Sequence, residues 1–378
     1  MIILLIAVLG SAALAQEAPD NEFQFNLSGY ADNFWVFIFY PNLSLTKRLD
    51  DKTAITGRYL VDAITSASMK SRFEVDGVTS ATNTRNGGGD NSPDELRHEM
   101  GLGITRILAG RTIAVNGLYS TEHDYTSSTV TAQITQPLAR NNTVVQLGLV
   151  RSWDEVFPQT RDWRRNKDVR TYSAGLTQTL TPDLIVQLNG SYSDMDGHLS
   201  DNYQVVTVLR PDRALFVEPV HPGRRIRRAA GMRSNWRLGP RSALQVGYRY
   251  YWDTWDIGSH TVSTAYRRYL NTLNLLELTA RHYRQDRAFF FQDTYAAVEP
   301  LMTVDSKLDR HFSTEVEARF VLNGGPGQWR YLPWLDDERV QLTTSFAVYH
   351  RRTDTPDWHS RRRDLIAYLV NFGIRYRW

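Results

Sequence analysis

From Phe23 to Trp378, apolar or aromatic residues recur at every second position, with polar or small residues between them. Val316, Ala318, Phe320 and Leu322 interleave with Glu315, Glu317 and Arg319, and Leu244, Val246, Tyr248, Tyr250 and Trp252 interleave with Gln245, Arg249 and Asp253. A period of two sends successive side chains to opposite sides of a pleated strand, so the chain reads as strands with two unlike faces. The expected strands are 22–31, 34–48, 53–67, 94–107, 111–122, 126–138, 142–154, 168–180, 183–196, 226–238, 241–254, 258–271, 273–286, 310–323, 338–352 and 364–378.

Alternation is shared by soluble sandwiches and by membrane barrels, in which the apolar face meets lipid and the polar face lines the lumen. Strand length and loop asymmetry separate the two. Most of the segments are long for a soluble strand and suit a tilted crossing of a bilayer. Tight connections with turn chemistry, at 49–52, 109–110, 140–141, 181–182, 239–240 and 271–272, alternate with long ones at 67–94, 155–168, 197–225 and 287–309. The expected fold is therefore all-β: an antiparallel transmembrane β-barrel of about sixteen strands, with short periplasmic turns and long extracellular loops. An even count puts both termini on the periplasmic side. Losing segment 22–31 would force the loss of a second strand to keep parity, leaving fourteen. The connection 324–337 breaks the pattern, being long on the short-turn side and carrying Trp329 and Trp334.

Residues 1–15 read as a signal peptide, an apolar core from Ile2 to Leu9 followed by the small-residue pattern Ala13, Leu14, Ala15, with the barrel domain spanning 16–378. After it, no apolar run reaches the ~20 residues of a transmembrane helix. The final segment places Ile366, Tyr368, Val370, Phe372, Ile374, Tyr376 and Trp378 on one face, and Phe372, Ile374, Tyr376 and Trp378 form the expected signal for the barrel-assembly machinery. Export through this route places the chain in the outer membrane of a Gram-negative bacterium.

Composition narrows the chemistry. The 378 residues contain no cysteine, which excludes disulfides, thiolate metal sites and a cysteine nucleophile. A net charge of +3 gives little reason to expect nucleic-acid binding. Aromatic residues make up 12%, and Arg is far commoner than Lys, a mixture suited to a membrane interface and a polar wall. Nine histidines show no HExxH spacing, GxSxG is absent, and Ser259 and His260 point to opposite faces of one strand, so neither metal, cofactor nor enzyme activity is expected. Residues 86–95 carry oxygen ligands in a Gly-rich run, but a solvated loop accounts for them better than a calcium site does. The clusters Arg161, Arg164 and Arg165; Arg224, Arg225, Arg227 and Arg228; and Arg361, Arg362 and Arg363 fall on the exterior side, where they would meet lipopolysaccharide phosphates.

Parity assigns an inward-facing set: Arg58, Arg97, Arg233, Arg237, Arg249, Arg281, Arg319, Arg351, Arg375 and Arg377 against Asp62, Glu99, Asp253, Glu277, Glu315 and Glu317. Sixteen strands are wide enough to leave an aqueous channel unless something plugs it. The expected function is a pore for small hydrophilic solutes, anions included. The alternative is a structural scaffold whose lumen is filled by a plug.

The stretch from Tyr248 to Thr261, Tyr-Arg-Tyr-Tyr-Trp-Asp-Thr-Trp-Asp-Ile-Gly-Ser-His-Thr, together with Tyr59 to Ser68, resembles the DUF3570 family of outer-membrane proteins. That resemblance implies a small lipoprotein and a flavin-attaching transferase as neighbours, hence a redox-linked partner, and it makes the alternative function a structural or redox-coupled scaffold whose lumen houses a small lipoprotein partner. It assigns no catalytic residue.

Overall fold

The computed structural model describes residues 18–66, 95–158, 161–201, 204–326, 333–355 and 364–378. The strands are β1 (Glu22–Asp32), β2 (Val36–Asp50), β3 (Thr53–Ser66), β4 (Glu95–Leu108), β5 (Arg111–Thr121), β6 (Tyr125–Leu138), β7 (Thr143–Val156), β8 (Arg165–Thr181) and β9 (Leu184–Gly197). After the short β10 (Val206–Leu209) and β11 (Ala214–Val217) come β12 (Arg224–Gly239), β13 (Ser242–Asp253), β14 (Gly258–Tyr269), β15 (Asn274–Gln285), β16 (His311–Asn323), β17 (Val340–Thr353) and β18 (Asp364–Arg377). All except β10 and β11 form one closed antiparallel barrel of sixteen strands in sequence order, with β9 paired to β12 and β1 to β18. Every expected strand exists. Segment 22–31 closes the ring by pairing Glu22 with Arg377 through Asp32 with Ala367.

The alternation has the inverted sense of a membrane barrel. On β4, Met100, Leu102 and Ile104 are exposed, while Gly101 and Gly103 turn inward. Leu147, Leu176, Met232, Val262, Leu278, Val316, Phe346 and Val370 share that exposed face. No helix among the described residues is long and apolar enough to cross a membrane; the apolar band is built from strands alone.

One rim carries tight turns. At Ala109 and Gly110 both φ values are positive (47° and 76°), the two-residue geometry whose twist matches that of the flanking strands. The opposite rim carries most of the long connections. At that rim Gly197 has φ 113°, and a Cβ there would lie 2.2 Å from the Asn166 carbonyl oxygen, so the residue ending β9 is restricted to glycine.

Among the described residues the barrel wall shows no continuous apolar interior. The main buried apolar clusters among the described residues lie instead in connections at the loop rim. Trp255, Ile257, Ala288, Phe290, Phe291 and Leu308 form one cluster, and Val206, Val208, Tyr295, Met302 and Val304 the next. The exceptional connection on the turn rim folds back on itself: Gly324 N donates to Val340 O (2.8 Å), Gly325 N donates to Leu335 O (3.0 Å), and a short 3-10 turn spans Pro333–Asp336. Trp329, the signal-peptide segment, residues 86–94 and Arg361 to Arg363 lie outside the described residues, as do the side chains of Asp62, Glu95 and Trp334.

The candidate lumen and its cap

Inward-facing residues are those of opposite parity to the exposed apolar set. On β3 and β4 this face carries Arg58, Arg97 and Glu99, in a chain: Arg58 pairs with Glu99, Arg97 Nη2 reaches Glu99 at 3.4 Å, and Arg97 Nε reaches Glu122 at 3.4 Å. Asp62 stands in register with Arg97. On β13 to β17 the inward face is densely charged. Arg281 is in register with Glu315 and Glu277 with Arg319, and Arg267 binds Glu277. Arg249, Tyr283, Ser313 and Arg351 succeed one another in register across β13, β15, β16 and β17, with Thr261 of β14 between the first two. Glu317 lies opposite Thr279 and Ala347. Near the turn rim Arg237 pairs with Asp183, and Arg375 and Arg377 converge on Glu22 at 3.4 and 2.9 Å, riveting the β1–β18 seam. Beside that seam Phe372, Ile374 and Tyr376 take the outward parity of β18, and the Trp378 ring stacks on Tyr376.

The other side of the ring is different. β6 is eight strands from β16 in either direction, and β5 is eight from β15, so these walls face one another across the barrel. Inward positions on β5 to β9 carry Asn116, Ser127, Thr129, Thr131, Gln133, Gln146, Ser173 and Asn189, and hydroxyls and amides bond across strands: Asn116 Nδ2 to Thr131 Oγ1 (3.0 Å), Thr129 Oγ1 to Ser152 Oγ (3.0 Å), Thr171 Oγ1 to Ser193 Oγ (2.8 Å). At the loop-rim end of this wall, Asp154 accepts hydrogen bonds from Tyr125 and Ser127 and an ion pair from Lys167 at 3.0 Å.

Exposure along the inward face changes with height. Asn26, Ser173, Asn189, Arg233 and Arg319 point inward yet remain exposed, so the middle of the barrel is open to water. Toward the loop rim Ser120, Asp154, Arg225, Asp253, Gln285 and Arg351 are buried. What covers the β12–β16 side is a cap in which the connections 198–223 and 286–310 fold together. β10 pairs with β11, Val208 bridges to Tyr295, and Val220 N and Met302 N each donate to the other's carbonyl at 2.9 Å.

The cap is anchored on the charged wall. Gln285 Nε2 donates to the Lys307 and Asp309 carbonyls at 2.8 Å. Asp253 Oδ1 accepts from Trp255 N (2.8 Å) and Ile257 N (3.2 Å), while its Oδ2 holds Arg225 Nε at 2.8 Å; that guanidinium stacks 4.1 Å from the Trp255 ring centre. His221 sits between the two cap connections. Its Nδ1 is 3.0 Å from Leu199 O and must donate, so Nε2 of the neutral ring accepts from Thr303 Oγ1, also at 3.0 Å. Burial lowers the pKa of this imidazole to about 4, against the opposing pull of Asp305.

Sequence parity misplaced or missed part of this site. Arg225 and Arg227, expected among the exterior clusters, have the inward parity, and Arg225 is buried against Asp253. Lys167 lies one residue outside the expected strand 168–180, and Arg267, absent from the expected inward set, has the inward parity. Of the exterior Arg161 cluster, Arg161 pairs with Glu218, Arg164 with Glu155 at 3.1 Å, and Arg165 stacks 3.9 Å from the Trp163 ring centre.

A closed sixteen-strand antiparallel ring with an apolar exterior and a polar, partly open interior defines an outer-membrane-type β-barrel. A family model described as "Protein of unknown function (DUF3570)" matches residues 5–315, and the chain belongs to that family. No curated protein matches it. Among solved structures it is similar to a bacterial polysaccharide outer membrane secretin (TM-score 0.54, 6% identity, covering 96% of this chain and 100% of that one). It is also similar to OmpT of Vibrio cholerae (TM-score 0.46, 8% identity, 97% and 99% covered) and to OccK2 (OpdF) of Pseudomonas aeruginosa in complex with glucuronate (TM-score 0.45, 10% identity, 95% and 98% covered). At 6% identity the likeness to the secretin speaks for the fold alone.

Proposed function

We propose that the chain is a conduit for small hydrophilic solutes in the outer membrane of a Gram-negative bacterium, with a preference for anions, and with its turn rim in the periplasm. One observation carries this reading: Arg233 faces inward near the middle of its strand, level with the inward and likewise exposed Ser173 and Asn189, and Arg319 faces inward lower down, and all remain exposed. A charged side chain keeps its hydration only where water reaches it, so this level of the barrel is wet rather than packed. The ten Arg and six acids that parity assigns inward, joined by Arg225, Arg227, Arg267 and Lys167 against Glu22 and Asp154, leave basic groups in excess and give the lumen a positive mean potential. The test is a planar-bilayer recording under a salt gradient, in which the reversal potential should sit on the anion side.

The cap favours a second reading, a scaffold closed at the exterior and open only to the periplasm, where a lipoprotein could enter. Folded protein that conducts no current would select it. Localisation has its own check: fractionation that leaves the protein outside the outer membrane removes both readings.

A further inference from the structure

The outward faces of β13 to β17 carry no Asp or Glu at any position. They do carry a compact basic group at the loop-rim boundary of the apolar band. One row in register runs Tyr250, His260, Arg284, Phe312, Arg352, and the row beneath it runs Tyr248, Val262, His282, Thr314, His350. Arg284, Phe312 and Arg352 are all exposed. Arg284 and Arg352 flank Phe312 from the two neighbouring strands, about 10 Å apart, twice the strand spacing. Neither guanidinium has an acidic partner among the described residues. Asp364 of β18 stands directly opposite Arg352 in register, but its carboxylate is engaged by His350 Nε2 at 3.0 Å rather than by the guanidinium. The other histidines are oriented in the same way, His260 Nδ1 by Tyr248 OH (2.8 Å) and His282 Nδ1 by Thr314 Oγ1 (2.9 Å).

The outward face of β7, β8, β9 and β12 at the same rim differs in carrying acids among its arginines. There Arg151 pairs with Asp168 at 2.7 Å and Arg224 with Asp194 at 2.9 Å. Unpaired, exposed arginines beside an aromatic ring, directly above an apolar wall, instead match an amphiphile with an anionic head and acyl tails. Below the basic rows, the small Thr264 and Ala280 stand side by side in register, with exposed Val316 beyond, so short side chains form the wall at this level.

We propose that this face binds a phosphorylated glycolipid of the outer leaflet, of the lipid A class, with Arg284 and Arg352 gripping its phosphate across Phe312 and the acyl chains lying over Thr264, Ala280 and Val316. Guanidinium forks suit phosphate oxygens, and the headgroup level of a bilayer is where aromatic belts and arginines meet it. The inference rests on the outer-membrane placement proposed above, but not on conduction.

The full chain, refolded into nanodiscs of phosphatidylcholine with or without lipid A, provides the test, read by native mass spectrometry of the bound lipid. Wild type should retain lipid A, and the Arg284→Gln, Arg352→Gln double variant should lose at least about ten-fold in retention, the scale of one charge-assisted contact. Arg151→Gln with Arg170→Gln, on the acid-bearing face, should retain it as wild type does. Heat-modifiable migration must show both variants folded; should the double variant misfold, Arg284→Lys with Arg352→Lys, which keeps charge but not the fork, replaces it and should lose part of the retention. Equal retention in wild type and the folded double variant would overturn the site while leaving outer-membrane placement intact. Displacement of lipid A by millimolar inorganic phosphate would overturn the lipid assignment in favour of a free anion.

Discussion

The two halves of the inner wall keep a polar surface wet by different means. On β5 to β9 the polar inward side chains are mainly hydroxyls and amides, several of them bonded across strands, and the inward ion pair found there among the described residues, Asp154 with Lys167, stands at the loop rim. On β13 to β17, half-way round the ring, charge runs from the rim of the cap down to Glu277 and Arg319. A hydroxyl ladder generates little long-range field, whereas ionised rows in a low-dielectric shell project one across the lumen. A solute in this barrel would thus meet a neutral, hydrogen-bonding side and a charged side at once. The cap sits on the charged side, fastened to the inward residues Asp253, Arg225 and Gln285.

The contrast breaks most visibly at Asp253. Asp253→Ala leaves buried Arg225 without its counter-charge and frees two turn amides, and losing one partner of a buried pair costs about 3–5 kcal/mol. The cap should open, raising proteolysis within 286–310 in a folded barrel; an unchanged digestion pattern would show that the apolar clusters hold the cap unaided. Next in size, Arg233→Gln with Arg319→Gln should reduce anion over cation selectivity several-fold, seen as a reversal potential that moves toward zero, and 1 M salt should blunt the difference because the screening length falls to ~3 Å. A reversal potential already on the cation side in wild type would sink the charge assignment.

A milder effect belongs to His221. The buried ring is neutral in the folded cap and its pKa is lowered to about 4, so the opened cap binds the extra proton first. Cap stability is therefore fully present above the ordinary histidine range and is lost as pH falls from about 6.5 toward about 4. Trp255, whose ring centre lies 5.4 Å from that of His221, reports on this, and a fluorescence change in that window should vanish in His221→Gln. Smallest of all, Ser173→Ala with Thr171→Val on the hydroxyl wall should leave the reversal potential where it is. A shift comparable to that of the arginine pair would show that the neutral wall also sets selectivity.

The strand count and the two-faced alternation were legible in the sequence because a period of two is a local property, fixed within a few residues by lipid on one side and water on the other. The cap was not. β10 and β11 are four residues each, and Val208 and Val220 find their partners at Tyr295 and Met302, so that structure comes from contacts with no local period. Strand ends were the other weak point. Lys167 and Arg225 lie one residue beyond the expected ends, where strands continue past the apolar band and lipid no longer enforces alternation, and with them went the two buried pairs that fasten the rim.

The seam at β1 and β18 joins positions 355 residues apart, with Arg377 Nε 2.9 Å from Glu22. Every other neighbouring pair is a hairpin or follows the β9-to-β12 connection. Chain order therefore distinguishes this seam only by the absence of a covalent turn, and both of its ends emerge on the rim that carries the tight turns. A short linker joining residue 378 to the start of β1, with new ends cut between Ala109 and Gly110, would yield a circular permutant with the same sixteen neighbours. Such a chain would begin at β5, finish at β4 and carry Phe372 and Tyr376 in its interior, separating the geometry of closure from whatever the insertion machinery reads in a last strand.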